Sequence, residues 1–176
     1  MEQYINDKPE IIKYILPGDE QFPNSSLWLL IYKNALTLPS EGAVSFIEKI
    51  FESNNWKNSW RNGIYDYHHY HSITHEVLGV YDGAATVQFG GPNGESEHIL
   101  KGDIIIIPAG VAHKCLEAQS NFKCVGAYPD GNNYDMNYGK PSERPEADEN
   151  IREVPLPEKD PVYGSQGPLI LNWEIQ

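Results

Sequence analysis

Apolar and aromatic residues in this chain come in short runs, Leu27 to Tyr32, Ala84 to Phe89, Ile104 to Ile107 and Phe122 to Tyr128, each cut off by Gly, Pro or Asn. Runs this short read as strands, and strands this closely spaced must bury their apolar faces against one another, as a barrel or a sandwich. Gly90-Gly91-Pro92-Asn93-Gly94 is a turn, because glycine supplies positive φ and proline fixes its own, so the flanking runs pair as a hairpin. His98, on the return strand, is expected in solvent. One helix interrupts the pattern. Pro39-Ser40 offers an N-cap, Glu41 suits the positive end of the helix dipole, and Ala43, Phe46, Ile47 and Ile50 recur at helical spacing as a core stripe. The N-terminal strand and helix are thus placed in residues 27–55.

The chain has 176 residues, which fits one domain spanning 1–176 with a proper core. From 139 onward its character changes. Six of the 13 prolines fall between Gly139 and Pro168, with seven carboxylates between Glu143 and Asp160. Long strands cannot form there, yet Ile151, Val154, Leu156, Val162, Leu169, Ile170, Leu171 and Trp173 are too apolar for a disordered tail. The expectation is an extended arm, residues 139–176, packed on the barrel.

Charge and cysteine usage narrow the partners. With 25 acidic against 13 basic residues the net charge is −12, a field that repels phosphate backbones and anionic lipid headgroups, so neither nucleic acid nor membrane is an expected partner. Two cysteines, Cys115 and Cys124, are too few for a disulfide framework. Met1 to Asp7 lacks the basic flank and apolar run of a signal peptide, and no stretch reaches the ~20 apolar residues a membrane helix needs. A cytoplasmic protein is expected.

Chemistry concentrates in Tyr65-Asp66-Tyr67-His68-His69-Tyr70-His71-Ser72-Ile73-Thr74-His75-Glu76, which holds four of the six histidines. On a strand, residues i and i+2 share a face, so His69 and His71 can aim two imidazoles at one point while His68 and Tyr70 face away. After a turn over Ser72 to Thr74, Glu76 can supply an oxygen ligand, and its neighbour His75 points to the opposite face. Farther on, Ile104 to Ile107 reads as a fully buried strand, followed by a Pro108 to Gly110 bend and His113, a natural fourth ligand.

The spacings also carry a resemblance. Gly63, five residues, His69, one residue, His71, four residues, Glu76, six residues, Gly83 matches the first cupin motif at every fixed position. Gly102, five residues, Pro108, one residue, Gly110, two residues, His113 matches the second motif up to its last position, where cupins usually carry Asn and this chain has Glu117. The motif core spans 63–117, and the chain is similar to small single-domain bacterial cupins with a proline-rich C-terminal arm. The resemblance implies an all-β, double-stranded β-helix, the cupin jelly-roll barrel, with His69, His71, Glu76 and His113 converging inside it. It also makes a homodimer the default assembly. Three nitrogens and one carboxylate oxygen suit one divalent transition metal, Fe, Mn, Ni, Co or Zn, with room for exchangeable positions.

Parity extends the candidate site. Cys115 and Glu117 share strand parity with His113, so both are expected to face inward, Glu117 as a catalytic base with its pKa raised by burial. Tyr65 and Tyr67 share parity with the motif histidines and are expected to line the mouth of a substrate pocket. The resemblance associates such a ligand set with dioxygenase-type oxidoreductases acting on a small metabolite. The alternatives are a sugar or keto-compound isomerase or epimerase using Glu117, or a non-catalytic metabolite-binding cupin. A phosphorylated substrate would want clustered cations, and the motif blocks offer only Lys101 and Lys114.

Overall fold

The computed structural model of the chain describes residues 2–173. Nine strands, β1 (Glu10–Leu16), β2 (Ser25–Lys33), β3 (Trp56–Asn62), β4 (Glu76–Asp82), β5 (Ala84–Phe89), β6 (Glu95–Leu100), β7 (Ile104–Ile107), β8 (His113–Ala118) and β9 (Lys123–Pro129), form two antiparallel sheets. One has the order β1-β2-β7-β4-β9-β3 and the other β6-β5-β8. From β4 onward the chain is a bent hairpin: β5 pairs with β6 and β4 with β7, and β8 and β9 then wrap back along β5 and β4. That winding of one ribbon across two facing sheets is a jelly roll, the double-stranded β-helix expected above. The turn at Gly90 and Gly91, with φ of 91 and 92 degrees, joins Phe89 to Glu95 in register.

Alternation along each strand builds two cores. Leu29, Ile31, Leu78, Val80, Ile105 and Ile107 point between the sheets and meet Val87, Phe89 and Ile99. Leu30, Tyr32, Val77, Ile104 and Ile106 point outward and are covered by α1 (Ala43–Ser53) and by the C-terminal segment. The Ile104–Ile107 run is apolar throughout because both its faces are buried. Helix α1 seats directly on β4. A Cβ at Gly79 would lie 2.8 Å from Ile47 Cγ2 and 3.0 Å from Phe51 Cζ, so only glycine lets the helix come that close. The helix starts later than Ser40 suggests: Gly42, in a left-handed conformation, stands at its N-cap and no side chain caps it.

The C-terminal segment departs from an extended arm. It contains two short helices, α2 (Glu146–Glu153) and α3 (Pro168–Trp173), and positions 174–176 of the expected arm lie outside the described residues. Glu146, Asp148 and Glu149 sit in the first turn of α2, where the helix dipole favours carboxylates, so charges expected in an extended packed arm serve a helix instead. The segment is fastened through Asp160, which is fully buried. Its carboxylate accepts hydrogen bonds from the Tyr32 hydroxyl at 2.6 Å and from the backbone N–H groups of Val162, Tyr163 and Leu169. The indoles of Trp56 and Trp173 add bonds to the carbonyls of Lys159 and Trp28.

Asp160→Ala strands four donors in a dry environment, at about 1–3 kcal/mol each before relaxation, so a net loss of about 4 kcal/mol and a fall in melting temperature of roughly 10 °C are expected by thermal circular dichroism. The exposed neighbour substitution Glu158→Ala should leave the melting temperature unchanged. Equal stability of the two variants would show that Asp160 does not hold the segment.

Candidate functional site

The expected strand through His69 and His71 is reduced to bridges, His69 to His113 and Tyr70 to Asn137, yet the alternation survives. His69 and His113 exchange both backbone hydrogen bonds, at 3.2 and 2.9 Å, which sets their rings side by side with centroids 4.1 Å apart. The His71 carbonyl accepts the Gly110 N–H at 2.8 Å, fastening it to the bend before β8. One ring nitrogen from each of His69, His71 and His113 lies within 4.8 Å of the other two, and all three residues are buried.

Glu76 opens β4 on the same face as Leu78 and Val80 and is buried, with Oε2 at 3.3 Å from His71 Nε2 and 3.4 Å from His113 Nε2. His75, one residue earlier, faces out. Its ring packs on Trp173 at 4.7 Å, its Nδ1 accepts the Ala109 N–H at 2.9 Å, and burial pushes its pKa down to about 4.

The roles of the ring nitrogens follow from their partners. Nδ1 of His69 lies 3.1 Å from the Tyr67 carbonyl, Nδ1 of His71 2.6 Å from the Asp135 carbonyl, and Nδ1 of His113 3.1 Å from the Val111 carbonyl. A carbonyl oxygen only accepts, so each Nδ1 carries the hydrogen and each Nε2 presents a lone pair. Glu76 Oε2 has no hydrogen-bond donor. Three lone pairs and a carboxylate oxygen therefore crowd one small volume, an arrangement that repels itself unless a cation sits among them. Without a metal, a proton shared with His71 serves as that cation. Burial disfavours the imidazolium of His71, but the Glu76 carboxylate together with Asp135 outweighs it and raises the pKa. Burial would also raise Glu76, yet His71 and His113 hold it well below the usual carboxylate range. His69, on which the Glu76 carboxylate acts only weakly, is pushed down to about 3 by burial and by His113. The donor set fits a metal ion: these residues could hold one through Nε2 of His69, His71 and His113 and Oε2 of Glu76.

The other carboxylate oxygen is held by the protein. Oε1 accepts the Tyr128 hydroxyl at 3.1 Å, and that hydroxyl accepts the Trp60 indole N–H at 2.8 Å. Val77 opposite Ala127 in the β4–β9 ladder sets Tyr128 beside Glu76, and Gly126 opposite Trp60 in the β3–β9 ladder brings in the indole. Neither residue has a sequence signal. Asp135 is also unforeseen: besides its carbonyl on His71, its carboxylate accepts the Ser72 N–H at 2.7 Å and the Ser72 hydroxyl at 2.5 Å. The histidines and Glu76 form the floor of a half-open pocket whose walls include Trp60, Ile64, Tyr65, Leu78, Tyr128, Tyr134 and Met136.

Two residues fall elsewhere than parity suggests, and a third faces inward as expected without lining the pocket. Glu117 is exposed, because the β5–β8 ladder shifts register between Val87, opposite Cys115, and Thr86, opposite Glu117. This bulge takes the strand after Cys115 off the inner face, so Glu117 is not a base at the pocket. Cys115 does face inward, but among apolar side chains, with Sγ donating to the Glu117 carbonyl at 3.4 Å and its thiol pKa raised by burial; it does not line the pocket. Tyr65 lines the pocket, whereas Tyr67 stands behind it, stacked on Tyr65 at 4.9 Å and facing a separate surface hollow with Phe22 and His68. His98 is exposed, as expected.

Fold and site together define a cupin-type jelly roll whose histidine-rich centre could hold a metal ion. No family model matches the chain. It belongs to the family of the Bacillus subtilis (strain 168) protein named "Uncharacterized protein YjlB", with which it is 42% identical over 161 residues, 91% of this chain and 94% of that one. Among solved structures it is similar to procruciferin, an 11S globulin from Brassica napus, at 23% identity and TM-score 0.38, covering 46% of this chain and 21% of that one. It is also similar to acireductone dioxygenase from Bacillus anthracis, solved with a cadmium ion in its active center, at 15% identity and TM-score 0.39, covering 53% of this chain and 63% of that one. The chain thus spans about a fifth of the globulin and under two thirds of the dioxygenase. Likenesses at this level say nothing of activity, and the jelly roll rests on the strand order above.

Three substitutions separate the roles at the site by Co(II) titration of the metal-free protein. Glu76→Gln should weaken binding by more than 100-fold. Tyr128→Phe, which frees Oε1 but keeps every donor atom, should weaken it by about 10-fold, the scale of losing a group that orients a ligand. His75→Ala should bind Co(II) as the parent does while melting at a lower temperature, since it strands the Ala109 N–H. Equal losses of Co(II) affinity in Glu76→Gln and His75→Ala would overturn the assignment.

Proposed function

We propose that the chain is a metal-dependent cupin acting on a small metabolite, an oxidoreductase of the dioxygenase type. The observation that carries this is the cluster of three Nε2 lone pairs and the donorless Glu76 Oε2 on the floor of an open pocket. His69, His71, Glu76 and His113 are the proposed ligands, and Fe, Mn, Ni, Co and Zn the candidate ions. Such an ion would supply Lewis-acid polarisation of a bound substrate and, if redox-active, access to dioxygen. The chain's own residues do the rest. The carbonyls of Tyr67, Asp135 and Val111 hold the three rings with Nε2 inward. Tyr128 keeps Glu76 Oε1 occupied, so that Oε2 is the oxygen presented. Leu78, Met136 and the aromatic walls keep bulk water from most of the floor.

An isomerase needs a base beside the substrate. With Glu117 outside the pocket the only carboxylate lining it among the described residues is Glu76, already among the proposed ligands, and this supports the oxidoreductase over the isomerase. No described helix is long and apolar enough to cross a membrane. The proposed setting is the cytoplasm, where the buried free thiols Cys115 and Cys124 stay reduced, and the proposed assembly is a homodimer. The net charge of −12 supports a small-molecule partner rather than nucleic acid or an anionic membrane surface.

Untagged protein should carry close to one transition-metal ion per chain by elemental analysis. Stripping the metal should lower the melting temperature by roughly 5–10 °C, since a ligand at 100 times its Kd adds about 2.7 kcal/mol to the folded state. Metal content near zero after reconstitution with Fe(II), Mn(II), Ni(II), Co(II) and Zn(II) would overturn the proposal. Oxygen consumption with a turned-over metabolite supports the oxidoreductase, anaerobic turnover the isomerase, and saturable binding without turnover a binding protein.

A further inference from the structure

The pocket above the proposed metal centre has a lopsided chemistry. Among the described residues its only cationic side chain outside the histidines is Arg61, and the guanidinium is engaged by Glu48 of α1 through two parallel bonds, Nε to Oε1 and Nη2 to Oε2, both 2.7 Å; none of the lysines lines it. Away from the proposed metal ion, an anionic group on a ligand would have to displace Glu48 from a well-matched fork and sit within a chain whose net charge is −12.

The walls, by contrast, are built to present flat faces. Tyr128 and Tyr134 stack with centroids 5.0 Å apart and planes 22° from parallel, and Tyr134 meets the His71 ring edge at 5.1 Å. Tyr65 is backed by Tyr67 at 4.9 Å and 18°. The Trp60 indole lies on the backbone of Gly126, where a Cβ would come within 2.1 Å of Cε2, and its N–H is tied to Tyr128. Rings already fixed by stacking and hydrogen bonds lose little freedom when a ligand packs on them, and stacked aromatic contacts favour a flat partner over a puckered one.

Resting on the reading of the floor as a metal centre, we propose that the pocket takes a ligand with a flat, aromatic or conjugated body bearing no charged group and an oxygen donor at one end, of the phenol or enol class. The oxygen end faces the histidines and Glu76, and the flat body lies along Tyr134 and Trp60. Ligands that carry a phosphate or carboxylate on the part lying along the walls are disfavoured.

Calorimetric titrations under nitrogen test this on the full chain. Co(II) is titrated first and by itself, so failure there strikes the metal-centre reading alone. Catechol, 3,4-dihydroxybenzoate, inorganic phosphate and glycerol are then each titrated into Co(II)-loaded and metal-free protein, which decides the ligand class whether or not Co(II) binds. Catechol should bind at least 10-fold more tightly than 3,4-dihydroxybenzoate or phosphate, and glycerol should give no saturable signal. Tyr134→Ala, at a half-exposed position, should weaken catechol by about 10-fold with Co(II) stoichiometry and melting temperature close to the parent's, and Tyr134→Phe should bind catechol as the parent does. Binding of either anion as tight as catechol's, saturable glycerol binding of similar strength, or indifference to Tyr134→Ala would overturn the proposal.

Discussion

Strand β4 is hydrogen-bonded on both sides, to β7 and to β9, and Glu76 stands at its first position on the interior face. A carboxylate there is costly, because burial removes its water and nothing apolar can replace it. Everything that compensates Glu76 comes from a different stretch of chain: His71 from the segment before it, His113 from the start of β8, Tyr128 from β9. Those elements converge only when both ladders of β4 are formed. The charge at the strand's end and the closure of the barrel are therefore one problem with one solution.

The same logic orders the histidines. Each imidazole is steered not by a side chain but by a backbone carbonyl, from Tyr67, Val111 or Asp135. Two of these lie two residues before their own histidine, so extended backbone supplies them locally, and His69 and His113 depend on little beyond their mutual bridge. His71 is different. Its carbonyl partner sits on the loop after β9, and that loop is in turn pinned by Asp135 to Ser72 and by Asn137 to the Tyr70 backbone. The ring with the raised pKa is thus the one whose orientation depends on a distant segment, and the same loop carries Tyr134 to the pocket wall.

Much of this was readable in the chain. Strand runs such as Ala84–Phe89 and Ile104–Ile107, the turn at Gly90 to Gly94 and the alternation that sends Glu76 inward and His75 outward are local properties, set by a period of two and by turn chemistry. Parity failed at one place for a specific reason. The register shift between Val87 and Thr86 puts an extra residue into β8, and a bulge inverts every inference beyond it, which is how Glu117 leaves the interior. The C-terminal segment misled differently: prolines and carboxylates suggested an extended arm, while α2 packs Ala147 on Phe22, Tyr70 and Ala112 and the buried Asp160 hub depends on Tyr32 of the large sheet.

The sequence alone determined which residues could carry chemistry and which face of a strand each would take, since donor type and alternation are written locally. Only the tertiary structure decided which strands became neighbours. The β4–β9 register places Tyr128 against Glu76, the β3–β9 register lays Trp60 over Gly126, and the loop after β9 brings Asp135 and Tyr134 to His71. Pairing partners and register are chosen by the sum of ladder hydrogen bonds and buried apolar contacts across the whole barrel, a quantity to which no short stretch of sequence holds the key.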